Sequence, residues 1–521
     1  MKGDFRKFSK CMALAATLTL VLSVSAGAQE IPWEFQPTLP EFIGHAAWPH
    51  PLPPPQVPQN PYLATSPFSN YHNDTWMSDT YAIPGPLGRK PTVLTSTLSV
   101  ARGSSTQPAF MCGALLFDRN GRIVTVCNNY DETVIVLVDP VTLDVLAHKQ
   151  IGKISGEETG LSTAYLILDN RNRAWVPSED HILVVEQTGG PQNTSFNIAK
   201  DYDLSGVIRG IVPTGDFIGA VTPDFSGRIW FVTRNTGIVG IFDPATDTAD
   251  PVVQTHQLHE EIGNGFAINE NDAYIVSTQK MYRFTAGKDN VPHIVWSSKY
   301  ENVGYQKDGQ YSAGSGTTPT ILDHGRYVAI GDNAKQFHVV VYRTEANLPP
   351  EKRVLCQVPV FEYGYGGCED SLIGFGRSIV VSNNYGYTFV HPSNSDPDSF
   401  ISTPSWPGVA RIDIAPNEKS CNLVWTNSEI TPASYGAKLS TKTGLVYIFS
   451  RKSDPSITAP HISHDVWYWS AIDFRTGATV YEQLVGTGRW FDGYWPLGFL
   501  GPDGTGYMAT WAGIVAIRDA H

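Results

Sequence analysis

The residues best suited to chemistry are carboxylates, amides and a few cations set in short polar loops. One series is Gly156-Glu157-Glu158-Thr159, Asn264, Ser315-Gly316-Thr317-Thr318, Glu369-Asp370 and Lys438; a second is Asn128-Asn129-Tyr130-Asp131, Asp332-Asn333 and Asn383-Asn384-Tyr385. Carboxylate and amide oxygens brought to one mouth suit Ca²⁺, which takes six to eight oxygen ligands. They also suit proton transfer, because a carboxyl removed from water moves its pKa towards neutrality. Glu369 and Asp370 are therefore candidate bases, Glu157, Asn264 and Lys438 candidate cofactor-binding groups, and Asp332 with Asn333 a candidate metal pair. His464, three residues after His461, is a further candidate base, as is His72, since imidazole titrates near neutral pH. Taken singly, each Asn or Asp is more often a turn former that bonds its own backbone. No Gly-x-Ser-x-Gly, His-Glu-x-x-His or phosphate-cradling Gly-rich loop is present.

The elements that must position these loops are read most clearly in Leu500 to Asp519. An apolar strand runs into Asp503-Gly504-Thr505-Gly506, a second strand follows, and Ala512-Gly513 turns the chain into a third strand of Ile, Val and Ala. Asp closes such a turn through its own downstream backbone and Gly tolerates positive φ. The same turn recurs at Asp118-Arg119-Asn120-Gly121-Arg122, Asp169-Asn170-Arg171-Asn172-Arg173, Asp224-Phe225-Ser226-Gly227-Arg228, 269–272, 323–326, 375–377 and 442–444. Intervals of about 45 to 70 residues suit four short strands per unit. Runs such as Ile229-Trp230-Phe231-Val232 and His338-Val339-Val340-Val341-Tyr342 are β-branched and aromatic, and no long stretch carries a 3.6-residue apolar stripe. The fold class is all-β: an eight-bladed β-propeller, with seven blades the alternative. The last unit lacks a fourth strand, and Thr92 to Val100 precedes the first unit as an orphan strand. Pairing of these two chain ends is expected to close the ring.

Residues 91–521 are thus assigned to the propeller, 29–90 to a Pro-rich N-terminal extension and 1–28 to a secretory signal. The signal assignment rests on a basic start, an apolar run from Met12 to Val24 and the small residues Ala26-Gly27-Ala28. The mature chain is expected to be periplasmic or secreted, with no membrane span. A net charge of −13 argues against a nucleic-acid backbone as partner. The extension, with Pro49-His50-Pro51-Leu52-Pro53-Pro54-Pro55, should lie over the surface or act as a strap. Within it, Asn70-Tyr71-His72-Asn73-Asp74-Thr75-Trp76 is more aromatic than a linker requires; Tyr71 and Trp76 are read as pins, ahead of a ligand role for His72. Cys112 and Cys127 flank a hairpin turn and are expected to form a disulfide; Cys356 with Cys368 is the second expected pair, leaving Cys421 free. The lack of Cys-x-x-Cys-His argues against covalently attached haem.

Ala471-Ile472-Asp473-Phe474-Arg475-Thr476-Gly477-Ala478-Thr479-Val480-Tyr481 resembles the blade repeat of the quinoprotein dehydrogenase-like propellers, with Tyr481 in place of the family's Trp. Asp139-Pro140-Val141-Thr142 and Asp243-Pro244-Ala245-Thr246 look like weaker copies. The resemblance implies an eight-bladed ring. Enzymes of that family use pyrroloquinoline quinone with Ca²⁺ and often a disulfide between adjacent cysteines, which this sequence lacks; other members are cofactor-free scaffolds. The cofactor is left open, Ca²⁺ ranking ahead of the quinone. The expected function is an exported enzyme acting on a small polar or carbohydrate-like ligand at the channel mouth, as an oxidoreductase or a metal-dependent hydrolase or lyase. The alternative is a non-catalytic binding or assembly module. A deep mouth with converging carboxylates favours the first and a plugged or flat face the second.

Overall fold

The computed structural model describes residues 29–98, 111–128, 132–152, 165–246, 251–387, 405–433, 436–458, 464–493 and 498–520. The signal segment, Glu157 and His461 lie outside them. Eight antiparallel sheets follow one another along the chain as the blades of a ring. Blade 1 covers 111–152, blade 2 167–203, blade 3 218–257, blade 4 267–299, blade 5 320–359, blade 6 373–427 and blade 7 438–487; blade 8 is built from 498–518 with Thr92–Ser96. The middle strands are mostly apolar and buried because each blade is covered on both faces by its neighbours. Ile123–Asn128 and Thr133–Val138 are buried at every position, whereas the outermost strand Val145–Gly152 alternates towards solvent.

The recurrent turn is a carboxylate clamp. In blades 1 to 3 one oxygen of Asp118, Asp169 and Asp224 accepts the backbone N–H groups two and four residues on. The other accepts from the Nε of Arg122, Arg173 and Arg228, at 2.8, 2.7 and 2.7 Å. Trp175 and Trp230 add an indole N–H to the same oxygen in blades 2 and 3.

The ring closes as the unfinished last unit requires. Thr92–Ser96 pairs antiparallel with Gly513–Arg518, from Thr92 opposite Arg518 to Ser96 opposite Ile514. Gly513 has φ +146°, and a Cβ there would collide with the Ser96 carbonyl, so the closing strand needs glycine at this point.

The N-terminal extension departs from the expected surface course. It starts outside blade 7, where Phe42–Gly44 adds a strand to Thr479–Thr487. After the proline run it enters the axial channel. There the carbonyls of Ser69, Thr75, Trp76, Ser78 and Asp79 accept the N–H groups of Leu168, Ile268, Ile321, Gly374 and Leu439, all on innermost strands. Thr80–Tyr81 then runs parallel to Lys438–Ser440, and every residue from Ser69 to Tyr81 is buried. The physical reason is that the innermost strands of a wide ring present unpaired edges, and the carbonyls of 69–79 accept the N–H groups those edges leave free.

Cys112 and Cys127 lie directly opposite each other and form the expected disulfide, with Cα atoms 3.9 Å apart. The second bridge corrects the expectation: Cys356 pairs with Cys421, and Cys368 is a buried free thiol. Cys356 and Cys421 lie on the outermost strands of blades 5 and 6, side by side at the rim, whereas Cys368 precedes an innermost strand at the opposite radius. The bridge closes 65 residues of chain. Cys356→Ser is therefore expected to lower unfolding free energy by about 2–4 kcal/mol in urea titrations under oxidising conditions, an effect that reductant removes by weakening the parent equally.

Candidate functional site

In each blade the loop leading into the innermost strand and the turn between second and third strands open on the same face of the ring. Since the extension enters from the other face, this face keeps a mouth above a plug. The plug is fixed by Asp79. Its Oδ2 accepts from His72 Nδ1 at 3.2 Å and from the Ser371 hydroxyl, and its Oδ1 is paired with the Lys438 ammonium. His72 Nε2 lies 3.1 Å from Thr318 Oγ1. Burial lowers the pKa of His72 and Lys438 Nζ lowers it further, against the pull of Asp79, so the ring is neutral at pH 7 and donates through Nδ1. Lys438 is likewise lowered by burial while Asp79 holds its charge. Lys438 thus ties blade 7 to the plug and is not free to hold a quinone.

Asp370 stands beside this network. Its Oδ2 accepts from Asn384 Nδ2 at 3.0 Å and Ser382 Oγ at 3.3 Å, and burial pushes its pKa from the ordinary 3.8 to about 7, with Asp79 adding to the rise. Glu369 is driven up well above the ordinary range by burial, with Asp370 and Glu261 adding to the rise, while the Tyr311 N–H and the Arg234 charge oppose it. Its Oε2 packs against Gly316, where a Cβ would collide with it, and has no hydrogen-bond partner among the described residues.

Around Glu369 lie three more polar atoms that have no hydrogen-bond partner among the described residues. Arg234, at the end of the second strand of blade 3, stacks over the Tyr311 ring at 4.3 Å and donates from Nη1 to the Gly263 carbonyl. Its Nη2 stands 3.7 Å from Glu261 and makes no hydrogen bond. Asn264 accepts from the Tyr165 hydroxyl at 3.1 Å, leaving Nδ2 without an acceptor. Ser312 Oγ is also without a partner, and a Cβ on Gly263 would come within 2.9 Å of it. All four side chains are at least nine-tenths buried. A buried polar atom without a partner carries a penalty of about 1–3 kcal/mol, so a cluster of them marks a place that water or a ligand completes.

The structure therefore brings Glu369, Asp370, Asn264 and Lys438 to one mouth. His464 stands at the entry to the third strand of blade 7, where its carbonyl accepts from Asp454 N–H, and among the described residues no hydrogen bond or ion pair joins it to Glu369 or Asp370. Asp332 is committed to its own loop, whereas Asn333 is held through Nδ2 by the segment 302–305 and its buried Oδ1 has no hydrogen-bond partner among the described residues. Asp332 accepts from the N–H groups of Ala334 and His338 and from His338 Nδ1 at 2.7 Å, and Asn333 Nδ2 donates to Asn302 and the Tyr305 carbonyl. Among the described residues no group of three or more His, Cys, Asp and Glu is placed to hold a metal. Glu157 lies outside the described residues. Sequence reasoning passed over Arg234 and Ser312, and ranked His72 as a mere neighbour of pinning aromatics. Arg234 occupies the same position after a second strand as Asp332-Asn333 and Asn383-Asn384, which is the signal that could have found it.

Comparison with known proteins assigns the chain to no family. No family profile matches the chain. An uncharacterised protein of Archaeoglobus fulgidus is 24% identical over 389 residues, covering 70% of this chain and 72% of its own. Among solved structures, Chaetomium thermophilum Sqt1 bound to the N-terminus of ribosomal protein L10 aligns over 79% of this chain and 97% of its own, at 11% identity and TM-score 0.49. Streptogramin B lyase aligns over 86% and 99%, at 9% identity and TM-score 0.37, and the Dos1 propeller over 75% and 81%, at 11% and 0.41. At such values these likenesses carry no argument about activity; the strand pairing itself establishes the propeller. The likeness of 471–481 to the quinoprotein-type propellers holds at the level of the eight-bladed ring.

The Asp370 shift has a definite sign. Between about pH 4 and 7 the unfolded carboxyl ionises while the folded one keeps its proton, so stability falls as pH rises through that window. Asp370→Asn cannot ionise. Its melting temperature relative to the parent is expected to rise between pH 5 and pH 8 in thermal melts; a pH-independent difference would contradict the assignment.

Proposed function

We propose that the protein is an exported binding module, a non-catalytic propeller that holds a small polar or glycan-like ligand in the mouth above its plug. The observation that carries this reading is the polar cluster above the plug: the extension fills the channel with Ser69 to Tyr81, and Glu369 Oε2, Arg234 Nη2, Asn264 Nδ2 and Ser312 Oγ are buried without hydrogen-bond partners among the described residues. Convergent polar groups in a concave site are the ordinary mark of small-molecule recognition. Binding ranks ahead of catalysis because His72, Lys438 and Asp79 are all committed to holding the plug in place. Two disulfides fit an oxidising compartment and support export together with the basic and apolar N-terminus.

Catalysis at the same mouth is the second reading. It is favoured by the neighbouring Glu369 and Asp370, whose raised pKa values suit acid–base work near neutral pH.

Protein expressed with its leader and extracted with denaturant is expected to release a low-mass polar compound, identified by mass spectrometry, at near one per chain. Arg234→Gln combined with Asn264→Leu should abolish its retention. A parent protein that carries nothing, and is not stabilised by any member of a panel of sugars and sugar acids, would falsify the binding reading. Conversion of a panel member into product would establish the catalytic one.

A further inference from the structure

On the face opposite the mouth, the carboxylate clamps of blades 1 and 2 stand side by side and enclose a cavity of about 460 Å³. It is lined by Arg119, Arg122, Arg171 and Arg173, with the turn 189–194 of blade 2 as the other wall. Gly189 and Gly190 give that wall no side chains, which leaves the cavity open between the hairpins.

The four arginines divide into two roles. Arg122 is part of the wall: it is held by Asp118 through Nε and donates through its terminal nitrogens to Thr194 Oγ1 and Gln187 Oε1. Arg173 is held by Asp169 through Nε and Nη2. The carboxylates behind these two are buried, with side chains 0% and 6% exposed. Arg119 and Arg171 are exposed, and among the described residues neither guanidinium has a hydrogen-bond or ion-pair partner. Their backbones are nonetheless fixed, since Arg119 N–H donates to Asn172 Oδ1 and Arg171 N–H to Asp169 Oδ1, both at 2.9 Å. The one acidic side chain lining the cavity, Glu186, accepts from Asn197. A chain with net charge −13 therefore places two guanidinium groups, without ion-pair partners among the described residues, on turns at the rim of a cavity walled by two more and by the single carboxylate of Glu186. Like charges repel at this range, and an anion bridging them relieves the repulsion.

We infer that this cavity is a second binding site, independent of the mouth, for a small ligand bearing a sulfate or phosphate group. Arginine is the side chain best matched to such oxyanions, through paired N–H donors in a fixed plane. The volume falls within the few hundred Å³ of ordinary small-molecule sites, which argues for a compact ligand.

The test is calorimetric titration of the intact protein at low ionic strength with sodium sulfate, inorganic phosphate, glucose 6-phosphate and glucose. Saturable binding of at least one of the three anions, with none of glucose at this site, is expected. Arg119→Gln with Arg171→Gln should weaken it by at least about tenfold, as the loss of two charge-assisted contacts requires. Both positions are exposed, so the melting temperature should not change, which separates loss of binding from loss of fold. Tighter binding of glucose 6-phosphate than of the inorganic ions would identify an ester as the natural source, and equal binding a free oxyanion. Failure of all three anions to bind, or binding undiminished in the double variant, overturns the proposal.

Discussion

A ring of eight small sheets leaves the innermost strand of each blade with one edge facing an axial channel, and the N–H and C=O groups along that edge need partners. The rest of the molecule follows from how this need is met. Here the chain supplies its own partner, threading 69–81 past the innermost strands of blades 2, 4, 5, 6 and 7. Asp79 then anchors the insert to blades 6 and 7 through Ser371 and Lys438. A buried ion pair of this kind adds little net stability but is costly to break on one side, so it specifies where the insert sits more than how tightly it is held.

The mouth is a by-product of that arrangement. Closing the channel from one face removes water from the loops on the other and raises the pKa values of Glu369 and Asp370. It also leaves Arg234 and Asn264 with donors that none of the described residues accepts. Buried polar groups that fail to satisfy one another are rare in folded proteins, and four of them lie together above the plug, whereas each carboxylate oxygen of Asp332 is used within a few residues of chain.

What the sequence made legible is what is local. The turn at Asp503 to Gly506, its relatives at Asp118, Asp169 and Asp224, and the β-branched runs between them announce a repeat because each depends on residues a few positions apart. Thr92 to Ser96 could be paired with Gly513 to Arg518 because an unfinished unit requires a strand. The Cys356–Cys421 bridge was misread because proximity along the chain is a poor guide once strands are sorted by radius. The course of the extension was misread for a related reason: its proline run dominates its composition, while the short polar stretch after it makes the contacts that matter. Glu369, Asp370, Asn264 and Lys438 could be placed on one face because loops leading into innermost strands are predictable from the repeat; Arg234 and Ser312 were not singled out because only their unsatisfied atoms set them apart.

Asp79 meets Lys438 across 359 residues of sequence, and Ser69 to Tyr81 touch blades spread over most of the chain. Contacts of such long separation form late, because the loop they close must be ordered before they repay its entropy. The segment synthesised near the start is consequently seated only after blade 7 has emerged, and the strand that seals blade 8 joins residues from both ends. Assembly is therefore self-proofreading: a chain truncated before blade 7 lacks the partner that seats its own insert, and the cup that depends on the insert does not form.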